Sequence, residues 1–381
     1  MSDPPFDRLT LEDLRRHTSA KWQVHPADVL PLWVAEMDVL PAPAVSAALH
    51  DAVRRGDTGY AMEEPYRHAL QGFAADRWDW DFEVAATALV PDVMRGAMEA
   101  IEMATPRGGN VVVNPPVYPP FYEFLDHAQR RVVEAPLGVD HRLDLAALER
   151  AFVAASADGP AAYLLCNPQN PTGTVHRRDE LAAVAELAAT HRVRVVSDEI
   201  HAPLVLAGAR FTPYLDVAPE ADAVAIHSAS TGWTLPGLKA AVAVFGGAAR
   251  SDVARVPEIV RHGASHFGVL SHVAALRDAR DWLDEVIAGI EGNVRTFADL
   301  LAARLPGAVY EPGAATYLAW VDVSALELGE EPAARFLERG RVAVVAGTDF
   351  GTGGDGYVRV NLATSTSILK EAVDRMAASV G

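Results

Sequence analysis

Short apolar runs return about every thirty residues from Tyr163 to Val195 to Val224, the length of one strand–helix–strand unit. No other feature of the sequence restricts the fold so tightly. Ala161–Asn167, Val193–Asp198 and Ala223–Ser228 are hydrophobic on both faces, as strands are when helices cover both sides of their sheet. Ala88–Pro91, Val111–Asn114 and Ala241–Phe245 have the same texture, and helical patterns such as Val93–Ala104 and Asp179–His191 lie between such runs. The expected fold is therefore α/β, with a mainly parallel sheet sandwiched by helices. An open sheet of this kind binds ligands outside the carboxyl ends of its strands. Here those ends carry Asn167-Pro168, Asp198-Glu199 and Ser228-Ala229-Ser230.

A chain of 381 residues is too long for one core, and its texture changes after about residue 275. A long helical pattern, Leu276–Leu305, leads into strands at Tyr317–Val323 and Arg341–Val345. A glycine-rich loop, Gly347–Gly356, then precedes a strand at Tyr357–Asn361. The expected division is a Pro-punctuated N-terminal segment (1–45), a large domain (46–275) and a small α+β domain (276–381). No repeat or low-complexity linker interrupts it.

The formal net charge of −18 sets such a surface against nucleic-acid backbones and anionic lipid. The lone cysteine, Cys166, rules out a disulfide framework and a cysteine-based zinc site; it suits a reducing compartment. The polar N-terminus and the lack of a long apolar stretch complete the expectation of a soluble, cytoplasmic protein that acts on small molecules.

Asn167-Pro168-Gln169-Asn170-Pro171-Thr172-Gly173 ends one strand in a turn that aims polar side chains at its terminus, though a well-made turn explains it equally well. Ser197-Asp198-Glu199-Ile200-His201 ends the next. A carboxylate there is costly without a cationic partner, and no lysine or arginine follows closely; a bound heteroaromatic cation would serve. The blander alternative is a capping Asp198 beside an exposed Glu199. His262 and His266 have i, i+4 spacing but no accompanying ligand motif, so no metal site is expected. Gly351–Gly356 reads as a tight loop, Cys166 as core, and no Gly-x-Ser-x-Gly elbow is present.

With the segment Ser228-Ala229-Ser230-Thr231-Gly232-Trp233-Thr234-Leu235-Pro236-Gly237-Leu238-Lys239, the chain resembles the fold-type-I pyridoxal 5′-phosphate enzymes. Within them it resembles the cystathionine β-lyase-like carbon–sulfur lyases grouped with the class I/II aminotransferases. Lys21-Trp22, Leu32–Asp38, Thr58-Gly59-Tyr60, Pro116–Phe121, Thr316–Trp320, Asp349-Phe350-Gly351 and Val358–Asn361 extend the match nearly end to end. The resemblance implies that the N-terminal segment packs on the small domain and the active site, and that residues 46–275 bind the cofactor. It implies that Asp198 pairs with the pyridine nitrogen, that Asn170 and His201 bond the phenolic oxygen, and that Tyr118 stacks on the ring. Val93 and Met94 would offer backbone N–H groups to the phosphate, Ser228 and Lys239 would complete its cup, and Ser230 is a further cofactor contact. Tyr60 would reach the phosphate from a neighbouring subunit of a homodimer, and Arg359 would clamp the substrate carboxylate. The reaction implied is β-elimination from L-cystathionine or an L-cysteine S-conjugate to thiol, pyruvate and ammonia, with amino transfer as the alternative.

One departure is serious. The family carries its Schiff-base lysine directly after Ser-Ala-Ser, and Thr231 stands there; the only lysines are Lys21, Lys239 and Lys370. Threonine forms no imine and is a poor base near neutrality. The cofactor would be held noncovalently and turnover would fall, or the chain would be a silent homologue that binds without turnover. Smaller departures are Thr234 where the family favours Asn, Gly232 where Ala is common, and Glu36 where Asp is common.

Overall fold

The structure, a computed structural model, describes residues 4–380. Its strands in chain order are β1 (Leu30–Pro31), β2 (Thr87–Val90), β3 (Asn110–Val113), β4 (Arg131–Glu134), β5 (Ala161–Cys166), β6 (Val193–Asp198) and β7 (Ala223–His227). Then come β8 (Ala241–Phe245), β9 (Val309–Tyr310), β10 (Leu318–Asp322), β11 (Val342–Ala343), β12 (Val345–Ala346) and β13 (Tyr357–Asn361). A seven-stranded sheet has the order β2-β8-β7-β6-β5-β3-β4. Strand β8 runs antiparallel to both its neighbours, and the remaining pairs are parallel.

Alternation along each strand explains why these runs lack a polar face. Ala161, Tyr163 and Leu165 point into one hydrophobic core, whereas Ala162, Leu164 and Cys166 point into the other. Helices Val93–Ala104 and Pro120–His127 cover the second side; Leu145–Ser156 and Arg178–His191 cover the first. Strand β4 carries no sequence signal of this kind, because it is an edge strand that is only half-buried.

A second, antiparallel sheet of four strands, β12-β13-β10-β9, forms the smaller C-terminal part. The N-terminal segment joins it: β1 pairs with β11, Leu30 opposite Val342. The helical pattern Leu276–Leu305 is not continuous. It belongs to two helices, His266–Asp278 and Arg280–Arg304, separated at Ala279, whose carbonyl accepts a hydrogen bond from Trp233 Nε1 at 3.0 Å. Ala279 leaves the helical range with φ −126° and ψ 31°, although its carbonyl still accepts from Leu283 N–H at 3.2 Å, so the apolar stripe continues across the break.

Residues 33–38 form a strap over the strand ends, and almost every carbonyl in it is held. Arg359 Nη2 donates to Trp33 O, Asn361 Nδ2 to Val34 O and Glu36 O, and Tyr317 OH to Ala35 O. Lys21, assigned from sequence to a terminal segment, is 1% exposed; its Nζ donates to Glu36 O and lies 2.9 Å from Asp38 Oδ2. Trp22 Nε1 donates to the other oxygen of Asp38.

Candidate active site

The carboxyl ends of β5, β6 and β7 deliver Asn170, Asp198 and Ser228 to one place. Asp198 is 4% exposed, and among the described residues no cation pairs with it. Its Oδ1 accepts a hydrogen bond from Ile200 N–H at 3.1 Å. Burial therefore pushes its carboxyl up to about 7. Glu199 is not the exposed neighbour of the blander reading: it is fully buried, and its Oε1 accepts from Ser197, Asn167 and the Tyr214 N–H.

Tyr118 is half-buried, with its hydroxyl pushed up by desolvation and close to the charges of Arg359, Asp198 and Asp92. Arg359, on β13, is 5% exposed and donates from Nη1 to Asn170 Oδ1 at 3.1 Å; its guanidinium carbon lies 5.2 Å from the Phe350 ring centre. Burial lowers it to about 10, and no carboxylate pairs with it among the described residues. His201, beside Arg359, is pulled down to about 3 by burial and then by that charge, so it is neutral. The tertiary fold thus gathers Tyr118, Asn170, Asp198, His201 and Arg359, which are far apart in sequence.

The helix Val93–Ala104 begins at the same sheet end. Asp92 is its N-cap and accepts from Arg95 N–H at 2.8 Å. No acceptor among the described residues takes the Val93 or Met94 N–H, which leaves two donors and a positive helix end for an anion. Ser228 Oγ lies 2.8 Å from Ala240 O and 3.1 Å from Ser230 Oγ. Lys239 Nζ is 3.0 Å from Asp92 Oδ2. Tyr60 is 85% exposed and stacks on His262 at 5.6 Å, so within one chain it does not enter the pocket.

Thr231 is partly buried, and its side chain makes no hydrogen bond among the described residues. Two of the smaller departures have structural correlates. Thr234 adopts φ 52°, a left-handed backbone that Asn tolerates better than a β-branched residue; its Oγ1 accepts from Met37 N–H at 3.1 Å and ties this loop to the strap. At Gly232 an added Cβ would lie 3.0 Å from the Pro203 Cβ.

Pyridoxal phosphate asks for a carboxylate at a cationic nitrogen, an aromatic face and donors at a phosphate. The residues fit these demands at the ring end, where a buried acid, Asp198, lacks a cation among the described residues. They fit at the phosphate end as well, except that Asp92 already sits on Lys239. From the sequence, Asp92 has no assigned role and Lys21 figures only within the Lys21-Trp22 match. An Asp just before a helical pattern is a readable capping signal; nothing in the sequence marks Lys21 as buried.

The model of the aminotransferase class I and II family matches residues 28–376. A Mycobacterium leprae protein whose provisional name is cystathionine beta-lyase is 52% identical over 394 residues, covering 99% of this chain and 98% of that protein. The cystathionine beta-lyase of Corynebacterium glutamicum is 34% identical, covering 96% and 98%. Among solved structures, a provisionally assigned pyridoxal phosphate-dependent beta-cystathionase from Corynebacterium diphtheriae superposes with a TM-score of 0.91 at 35% identity, covering 98% of each chain. With a match spanning both sheets and all the gathered residues, this chain belongs to the class I and II aminotransferase family.

Proposed function

We propose that the chain is a pyridoxal 5′-phosphate-dependent carbon–sulfur β-lyase that converts L-cystathionine or a related L-cysteine S-conjugate, with water, to a thiol, pyruvate and ammonia. Asp198 carries the reading, as a buried acid at a strand end that lacks a cationic partner among the described residues. The cystathionine beta-lyase names of full-length relatives support it. Electron withdrawal from the substrate Cα, which acidifies its proton and lets the β-sulfur depart, is the chemistry that the cofactor supplies when bound.

The chain's own residues bind and orient. Asp198 keeps a proton on the pyridine nitrogen, since its ionised form becomes favourable only beside a positive charge. Tyr118 offers its ring face, and Asn170 and neutral His201 offer hydrogen bonds to the phenolic oxygen. Arg359 receives the substrate carboxylate through its fork, held in aim by Asn170 and the Trp33 carbonyl. Ser228, Ser230, Lys239 and the Val93 and Met94 N–H groups receive the phosphate. Residue 231 supplies neither an imine nor a strong base.

The working unit in this reading is a homodimer in the cytoplasm. Tyr60, Met62 and Ile259 are exposed by 85%, 69% and 83%. Glu63 lies 3.2 Å from Arg261, so these residues share one surface, which a second copy would cover while Tyr60 reached its pocket. The buried Cys166 thiol suits a reducing compartment.

Thr231 favours a second reading, a homologue that binds the cofactor without turnover. Titration with pyridoxal phosphate, followed by ring absorbance, tests the cofactor; pyruvate release from cystathionine tests the lyase. No bound-ring signal at stoichiometric cofactor overturns both readings. Binding without pyruvate, before and after Thr231→Lys, selects the silent homologue.

A further inference from the structure

Lys239, the side-chain cation assigned to the phosphate, is already paired with a carboxylate of this chain. Asp92 uses Oδ1 to cap the Val93–Ala104 helix through the Arg95 N–H and places Oδ2 3.0 Å from Lys239 Nζ. Resting on the cofactor reading above, we propose that Asp92 is a resident competitor for the phosphate group, so that this pocket holds its cofactor chiefly by the ring and discriminates little between phosphorylated and unphosphorylated forms.

The two ends of the pocket are unequal. At the ring end Asp198 is buried without a cation among the described residues, and Tyr118 and Asn170 stand beside it. Tyr118 feels the charges of both Asp198 and Asp92, so the ring end and the cup belong to one pocket. At the phosphate end, an incoming group of about −1.5 to −2 charge must displace Asp92 from Lys239 or settle beside it. Lys239 is the side-chain cation of this cup, and its ion pair is with Asp92. The Ser228 hydroxyl is engaged with the Ala240 carbonyl. The Val93 and Met94 N–H groups remain as donors, and Thr231 provides no covalent tether that would compensate.

Calorimetric titration of the full chain with pyridoxine 5′-phosphate and with pyridoxine tests this, because neither probe can form an imine with a lysine. In the unaltered chain the two Kd values should lie within about tenfold of one another. Asp92→Asn keeps a good N-cap but removes the charge. It should tighten the phosphorylated probe about tenfold and leave pyridoxine within about twofold. In that background Lys239→Met should cancel the gain. Unchanged or weaker binding of the phosphorylated probe by Asp92→Asn overturns the proposal. So does a preference above about a hundredfold for that probe in the unaltered chain. These results leave the cofactor reading standing, whereas failure of both probes and of pyridoxal phosphate to bind any variant overturns that reading and this inference together.

Discussion

Arg359 on β13 donates from Nη1 to Oδ1 of Asn170, in the turn after β5, so a hydrogen bond between two functional side chains joins the small sheet to the large one at the pocket. The guanidinium is aimed by uncharged partners: Asn170, the Trp33 carbonyl and the Phe350 ring. Its charge is therefore left for a ligand.

Arg359→Lys keeps that charge but loses the planar fork. Binding of an amino-acid ligand to the cofactor-loaded protein should weaken by roughly 10–100-fold, while cofactor affinity changes by less than about threefold. Spectral titration of each ligand checks both numbers.

Thr231→Lys restores an amine at the position after Ser228-Ala229-Ser230. Borohydride reduction of the cofactor-loaded variant should fix a pyridoxyl group at residue 231, located by peptide mass spectrometry, whereas the unaltered chain should show none there. Pyruvate release from cystathionine should rise by about 10²–10⁴-fold, the usual worth of a positioned general base.

Asp198 makes stability depend on pH. Its folded value of about 7 lies above the ordinary 3.8, so between these values the folded chain binds more protons than the unfolded one. Stability of the cofactor-free protein should therefore fall as pH rises from about 4 to about 7. Glu199, raised to about 8 by burial, contributes in the same direction. Asp198→Asn should flatten its share of that slope and weaken cofactor binding; denaturant midpoints across the range measure the first effect.

Thr234→Asn should stabilise the fold by about 1 kcal/mol, because the left-handed backbone costs a β-branched residue more than Asn, and the bond to Met37 can be kept. Urea unfolding at constant pH reads the change.

Glu199 and His227 form a buried pair in which Oε2 lies 3.1 Å from Nε2. Burial raises the acid to about 8 and lowers the imidazole to about 3, so both are neutral at pH 7. Glu199→Gln mimics the neutral acid and should cost under about 1 kcal/mol. Glu199→Ala strands three buried donors and should cost about 3 kcal/mol in the same assay.

Much of this was written locally. Strands β5 to β8 and the Val93–Ala104 helix follow from apolar runs and their period, and the ordered motifs pointed to Asp198, Asn170 and Arg359 before any geometry. Strand β4 and the break at Ala279 were not legible. The first is half-buried at a sheet edge, and the second is one residue, Ala279, that leaves the helical range inside a continuous apolar stripe, its carbonyl held by Trp233 from more than forty residues away in sequence.

What the sequence determined by itself was which residues seek burial and in what rhythm, because side-chain hydrophobicity and strand alternation are local properties. Only the tertiary structure decided the electrostatics. Among the described residues it enclosed Asp198 without a cation, put Lys21 on Asp38, left Arg359 unpaired by acid and set Asp92 against Lys239. A charge's cost and its partner depend on what surrounds it in space, and chain order carries no record of that.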